Sequence, residues 1–278
     1  MRIELDDEKL KKIHDVELEL LQEFDRICKK NNLNYTVTGG TLLGAVRHGG
    51  FIPWDDDADV VMMRKDYDRF QKICEKELDH SKFYFQSIET TPGYRWGYGK
   101  LRRKNTVFLR EGQEGMPYEQ GIFMDIFPRD GVPDGKIERR IHTFLCFALR
   151  KIMWSEIGKD REKNRIRRLI YTVLSYIPQK TIVKLYRKLI RYSNKKETKL
   201  VRALTFPLPK RLSGAGYCRK WYNNYLPIKF ENITVQAEAN YKDWLKAEFG
   251  DYMKMPPVEK RKSHPVSELK FPEEGKIE

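Results

Sequence analysis

Thr38–Met63 reads TGGTLLGAVRHGGFIPWDDDADVVMM, a glycine pair, a short apolar run, a second glycine pair and then four aspartates within five residues. The alternation Asp57-Ala58-Asp59, followed by the apolar run Val60–Met63, predicts a strand entered through carboxylates. Residues two apart on a strand share a face, so Asp57 and Asp59 project together within reach of one hard cation. Oxygen ligands at this density suit Mg²⁺ or Mn²⁺ and suit zinc poorly. A lone Asp-Asp-Asp reads as a solvated turn, but unpaired carboxylates at the mouth of a buried strand are costly. Asp55, Asp57 and Asp59 also have the spacing of a calcium loop, which needs Gly at its sixth position and Glu at its twelfth; Val60 and Asp66 stand there, which excludes it.

Upstream, Asn34–Thr38 alternates into a strand that Gly39-Gly40 breaks, and Thr41 can cap a short helix through Leu42, Leu43, Ala45 and Val46. Strand, glycine turn and helix N-terminus place backbone N–H groups where an anion can sit. Downstream, RWGYGKLRRKNTVFLRE (95–111) reads as two strands turning at Lys104-Asn105, with Lys100 and Arg102 on one face of the first. Spacing alone fits an ordinary basic strand exterior as well as a phosphate-binding pair. In GIFMDIFP (121–128), Asp125 stands alone among apolar residues, which is expensive unless a cation or donors meet it.

These stretches together resemble the LicD family of phosphotransferases, a branch of the nucleotidyltransferase fold to which fukutin-related proteins are related. The resemblance implies an α/β (α+β) fold: a nucleotidyltransferase-like mixed sheet with flanking helices, here joined by a helical basic subdomain. It implies that Asp57, Asp59 and Asp125 hold one or two Mg²⁺ (or Mn²⁺) and carry the catalysis. Substrate contacts are expected from Gly39, Gly40, Thr41 and Arg47, and from Lys100 and Arg102 as cations for a nucleotide diphosphate. The segment DYMKMPPVEKRKSHP (251–265) resembles the family's C-terminal pattern and adds Arg261 and His264 as phosphate holders, with Pro265 where a second histidine is usual. The implied reaction moves a phosphoryl-alcohol, phosphocholine by default, from a CDP-alcohol donor such as CDP-choline to a hydroxyl of a cell-surface glycan or its lipid-linked precursor.

Leu10, Ile13, Val16, Leu20, Phe24 and Ile27 define one face of a first helix, with His14 on its polar side. From Lys136 to about Lys199 helical periodicity dominates, with basic residues between the apolar ones and breaks near Lys159 and Pro178. Such helices can pack on one another or lie on an anionic membrane, and periodicity does not separate the two. The expected organisation is a catalytic core over 1–135, a basic helical subdomain over 136–200, and a segment over 201–278 that returns to the core. Scattered cysteines (28, 74, 146 and 218), a charged N-terminus and no apolar run of membrane-spanning length predict a cytoplasmic protein, peripheral to the inner membrane face at most. The net charge of +14 favours an anionic partner. Two rivals stay open: a nucleotidyltransferase moving a nucleoside monophosphate from a triphosphate, and a basic membrane- or nucleic-acid-binding module. The latter leaves Asp125 unexplained and carries no nucleic-acid motif, so no nucleic-acid partner is expected.

Overall fold

The computed structural model describes residues 2–209, 212 and 215–272. Helix α1 (Asp7–Lys30) begins where the Asp6 side chain accepts from the Lys9 N–H and ends at Asn31. It buries Leu10, Ile13, Leu20, Phe24 and Ile27 completely or nearly so. A short strand β1 (Thr36–Val37) leads into α2 (Gly39–Arg47), and β2 (Ala58–Met63) into α3 (Arg64–Glu77). Then come β3 (Phe83–Gln86), β4 (Gly99–Arg103), β5 (Val107–Arg110) and β6 (Phe123–Val132).

The main sheet runs β1-β2-β6-β4-β3. It is mixed: β2 and β6 are parallel, while β1, β4 and β3 run antiparallel to their neighbours. All ten residues of β6 are buried, as expected of a central strand with partners on both edges. Its far end pairs with β7 (Leu200–Arg202), which continues to β8 (Tyr217–Cys218). Asp130, near that end, is held by Arg64 at 2.7 Å and by Asn194, which makes it structural.

Helices α4 (Lys136–Arg161), α5 (Arg165–Ser175) and α6 (Gln179–Ser193) fill the basic stretch. α4 and α6 share a small core of Cys146, Leu149, Met153, Ile182, Tyr186 and Leu189 beside Ile88 and Tyr94. A hairpin of β9 (Tyr225–Phe230) and β10 (Ile233–Glu238) lies against β1, and α7 (Tyr241–Phe249) ends at Gly250.

Three local expectations change. Gly39-Gly40 opens α2 rather than merely ending a strand, and the N-cap is Thr38, not Thr41. The strands flanking Lys104-Asn105 do not pair with each other. β4 joins the main sheet, whereas β5 pairs with β11 (Val266–Lys270) in a separate two-stranded ribbon. The segment 251–265, whose composition alone suits a flexible basic tail, is therefore followed by a paired strand.

Candidate active site

Backbone register sets the geometry. Asp59 of β2 pairs with Asp125 of β6, and Lys100 of β4 pairs with Asp125 from the other side. Asp57 precedes β2 by one residue and shares the Asp59 face. One carboxylate oxygen from each of Asp57, Asp59 and Asp125 lies within 4.8 Å of the others.

The Gly39-Gly40 pair has a steric explanation. A Cβ on Gly40 would stand 1.9 Å from the Asp55 carboxylate, and one on Gly39 would stand 2.8 Å from Asp59 Oδ2. Gly39 also has φ +57°, a conformation that costs a residue with a side chain. The carboxylates thus sit over the start of α2, where unpaired N–H groups favour negative charge. Thr41 serves the same loop, its hydroxyl accepting the Asp59 N–H at 2.8 Å.

Burial pushes the Asp59 and Asp55 carboxyls well above the usual range, and neighbouring carboxylates add to it. Asp57 is raised for the same first reason, with Arg110 and His264 opposing. Lys100 donates to Asp125 at 2.5 Å and lies over the Phe123 ring; burial lowers its pKa to about 7 against the pull of Asp125. The donor set is all oxygen, and its carboxylates are held against their own repulsion. A divalent cation relieves both penalties, so these residues fit a hard metal ion.

The other expected residues lie in two groups. Arg102 is buried on the Lys100 face, but its Nε donates to Gln86 and its Nη1 to the Gly121 carbonyl. Both cations of that pair therefore end on protein groups. Arg47 donates to the Tyr252 carbonyl, and Arg261 lies 4.6 Å over the Trp54 ring. Neither arginine has an ion pair among the described residues, and the charge of Arg261 lowers the pKa of Arg47, after burial. His264 donates from its backbone N and its Nδ1 to buried Asp56, at 3.1 and 2.9 Å.

Four participants escape a reading by motif. Arg110 at the end of β5 donates to Asp57 at 3.1 Å. Glu17 of α1 is 1% exposed, and its Oε2 has no hydrogen-bond partner among the described residues. Burial raises its pKa well above the ordinary value, with Asp57, Asp56, Asp55 and Asp59 adding to the effect. Its signal was present in the sequence: it occupies the core slot between Ile13 and Leu20. His14, expected on the surface, stacks on Phe51 and donates Nε2–H to the Asp55 carbonyl at 2.8 Å. Arg129 lines a cavity of about 80 Å³ with Gly39, Asp59, Tyr217 and Trp244.

The chain thus joins a mixed α/β fold to three carboxylates that converge at the entrance of β2 and on β6, an oxygen donor set able to hold a metal ion. Residues 32–134 match the family model described as LicD/FKTN/FKRP, nucleotidyltransferase domain. Over 262 residues the chain is 31% identical to the lipopolysaccharide cholinephosphotransferase LicD of Haemophilus influenzae, covering 90% of this chain and 94% of that one. Shorter matches, each 40% identical, join it to uncharacterised proteins of Rickettsia typhi (24% of this chain, 23% of that protein) and Rickettsia prowazekii (42% and 40%). The chain belongs to the LicD family of phosphotransferases.

Proposed function

We propose that this protein transfers phosphocholine from CDP-choline to a hydroxyl of a cell-surface glycan or of its lipid-linked precursor, at the cytoplasmic face of the membrane. The observation that carries this reading is the end-to-end similarity to a cholinephosphotransferase, coinciding with a carboxylate triad on paired strands. Asp57, Asp59 and Asp125 would hold Mg²⁺ or Mn²⁺, which when bound supplies charge neutralisation for the donor diphosphate and the departing nucleotide.

The rest of the chemistry belongs to side chains. The acceptor oxygen forms a bond to the phosphorus that bears choline, and the bond from that phosphorus to the CMP oxygen breaks, its electron pair leaving with CMP. Asp125 takes the acceptor proton, with Lys100 beside it holding the carboxylate in place. Arg47 and Arg261, which have no ion pair among the described residues, hold donor phosphate; the α2 N-terminus at Gly39, Gly40 and Thr41 favours negative charge. Lys100 and Arg102 orient the diphosphate through their field rather than as free donors. His264 keeps the Asp56 loop in register.

Product identity tests the reading. Incubation with CDP-choline and a phosphocholine-free glycan should yield CMP and no pyrophosphate, and chelation of divalent cations should stop it. Pyrophosphate released from CTP or ATP, with no CMP from any CDP-alcohol, would replace it with a nucleotidyltransferase.

A further inference from the structure

Helix α5 carries Ile166, Leu169, Ile170 and Val173 at steps of three and four, a spacing that ordinarily marks a core face. The structure turns that stripe outward. Tyr171 is the residue α5 buries, packed over Gly158 of α4 with its hydroxyl accepting from Lys151 Nζ. Ile166 is 72% exposed, Leu169 66% and Val173 61%. Helix α4 does the same over its first turns: its inward face holds His142, Cys146, Leu149 and Met153, while Ile137, Ile141, Phe144 and Leu145 on the opposite face are exposed. Tyr176, just after α5, and Trp154 of α4 are exposed as well.

Charge accompanies the exposed stripes. Residues 136–199 contain 19 of the 54 Lys and Arg side chains and 5 of the 40 Asp and Glu side chains. That segment therefore carries the whole formal charge of +14, and the remainder of the chain is neutral. Arg139 and Arg140 flank Ile141, and Arg165, Arg167 and Arg168 flank Ile166 and Leu169. Among the described residues no helix is long and apolar enough to cross a membrane.

We propose that the α4–α5 hairpin docks in the plane of an anionic lipid surface, with Ile137, Ile141, Phe144, Ile166, Leu169 and Val173 entering the headgroup–acyl boundary. Apolar residues on one side and arginines beside them are what such an interface selects. A second copy of this chain fits the surface poorly, because two such segments face to face would oppose like charges. α4 also lines a cavity of about 380 Å³, together with Trp96, Tyr98 and Phe206, through Met153 and Trp154. Tyr98 in that cavity lies beside Lys100, which offers a lipid-linked acceptor a short route to the carboxylates. Only this last point rests on the function proposed above; the docking stands without it.

The test is flotation of the full chain, without nucleotide or metal, on phosphatidylcholine vesicles with and without phosphatidylglycerol. The wild type should float with the anionic vesicles alone, and binding should fall as salt rises. Phe144→Asp with Leu169→Asp, and separately Arg167→Glu with Arg168→Glu, should each weaken binding by about tenfold or more while retaining the wild-type circular dichroism and melting temperature. In Leu169→Trp, brominated acyl chains should quench the added fluorescence. A chain that does not float overturns the proposal, as does binding unchanged in both double variants. A dimer by light scattering that Phe144→Asp with Leu169→Asp dissolves would assign the surface to a second copy instead.

Discussion

Arg110 reaches Asp57 with its Nη2 3.1 Å from Oδ2, although Arg110 ends a strand of the β5–β11 ribbon and Asp57 stands in the loop that enters β2 of the main sheet. The guanidinium neutralises one carboxylate of a crowded set. Arg110→Met should therefore destabilise the cation-free protein, by at most roughly 3–5 kcal/mol, because it strands a half-buried charge. A divalent cation supplies the missing positive charge, so adding MgCl₂ should restore more stability to the variant than to the wild type. Thermal melts with and without the salt measure this; an equal deficit in both would show that Arg110 acts through packing alone.

Asp59→Asn and Asp125→Asn should both lose divalent-cation binding by calorimetry and lose turnover, yet they should differ in stability. Asp59 is raised by burial and by Asp57 and Asp125, so removing its charge relieves the cation-free fold. Asp125 is the partner of buried Lys100, and its loss leaves an ammonium without a counter-ion. Urea midpoints should rise for the first and fall for the second. Retained cation affinity in Asp125→Asn would remove that residue from the site.

The glycine pair offers a steric test. Gly40→Ala must push aside the Asp55 carboxylate, a movable group, whereas Gly39→Ala meets Asp59 and adds a strained φ. Gly39→Ala should cost roughly 1–3 kcal/mol and should be the worse of the two. Its turnover should fall further than its stability explains, since the displaced group is a proposed metal ligand. Equal effects at the two positions would argue that crowding, not backbone strain, is what glycine avoids here.

Stability should depend on pH through Glu238. Burial raises its pKa to about 7 from an ordinary value of 4.5, with Thr36 and its own backbone opposing. Below pH 4.5 both folded and unfolded chains hold the proton, and the group has no effect. As pH rises from 4.5 to 7 the unfolded chain ionises first, so stability is lost across that window, by roughly 3 kcal/mol. Glu238→Gln carries no such penalty. Its advantage in urea midpoint should be small near pH 4.5, grow to pH 7 and then level off; a constant difference would place the ionisation elsewhere.

How legible this was depended on how local each signal is. The α1 stripe and the Asp-x-Asp strand are written in neighbouring residues, and the mixed α/β class came with the family resemblance that such local motifs carry. Ribbon β5–β11 joins Val107–Arg110 to Val266–Lys270, and nothing near either end announces the other. That is why Arg110, plain in the sequence, was not read as a partner of Asp57. Helix α5 stayed open for a different reason: periodicity reports that a face is apolar, not what the face meets, and here the face is exposed. Glu17 shows the reverse case, an ionisable residue hidden in a helical core slot by apolar neighbours.

The ribbon has a temporal meaning as well. His264, which donates to Asp56, lies 208 residues further along the chain, and the strand after it pairs with the one that ends in Arg110. The acidic loop is made early in synthesis and fastened late. A nascent chain that has not yet reached residue 270 contains every aspartate of the cluster but not the clasp that holds two of them. Assembly of the site should therefore wait for the residues up to 270, long after those of the sheet beneath it have been made.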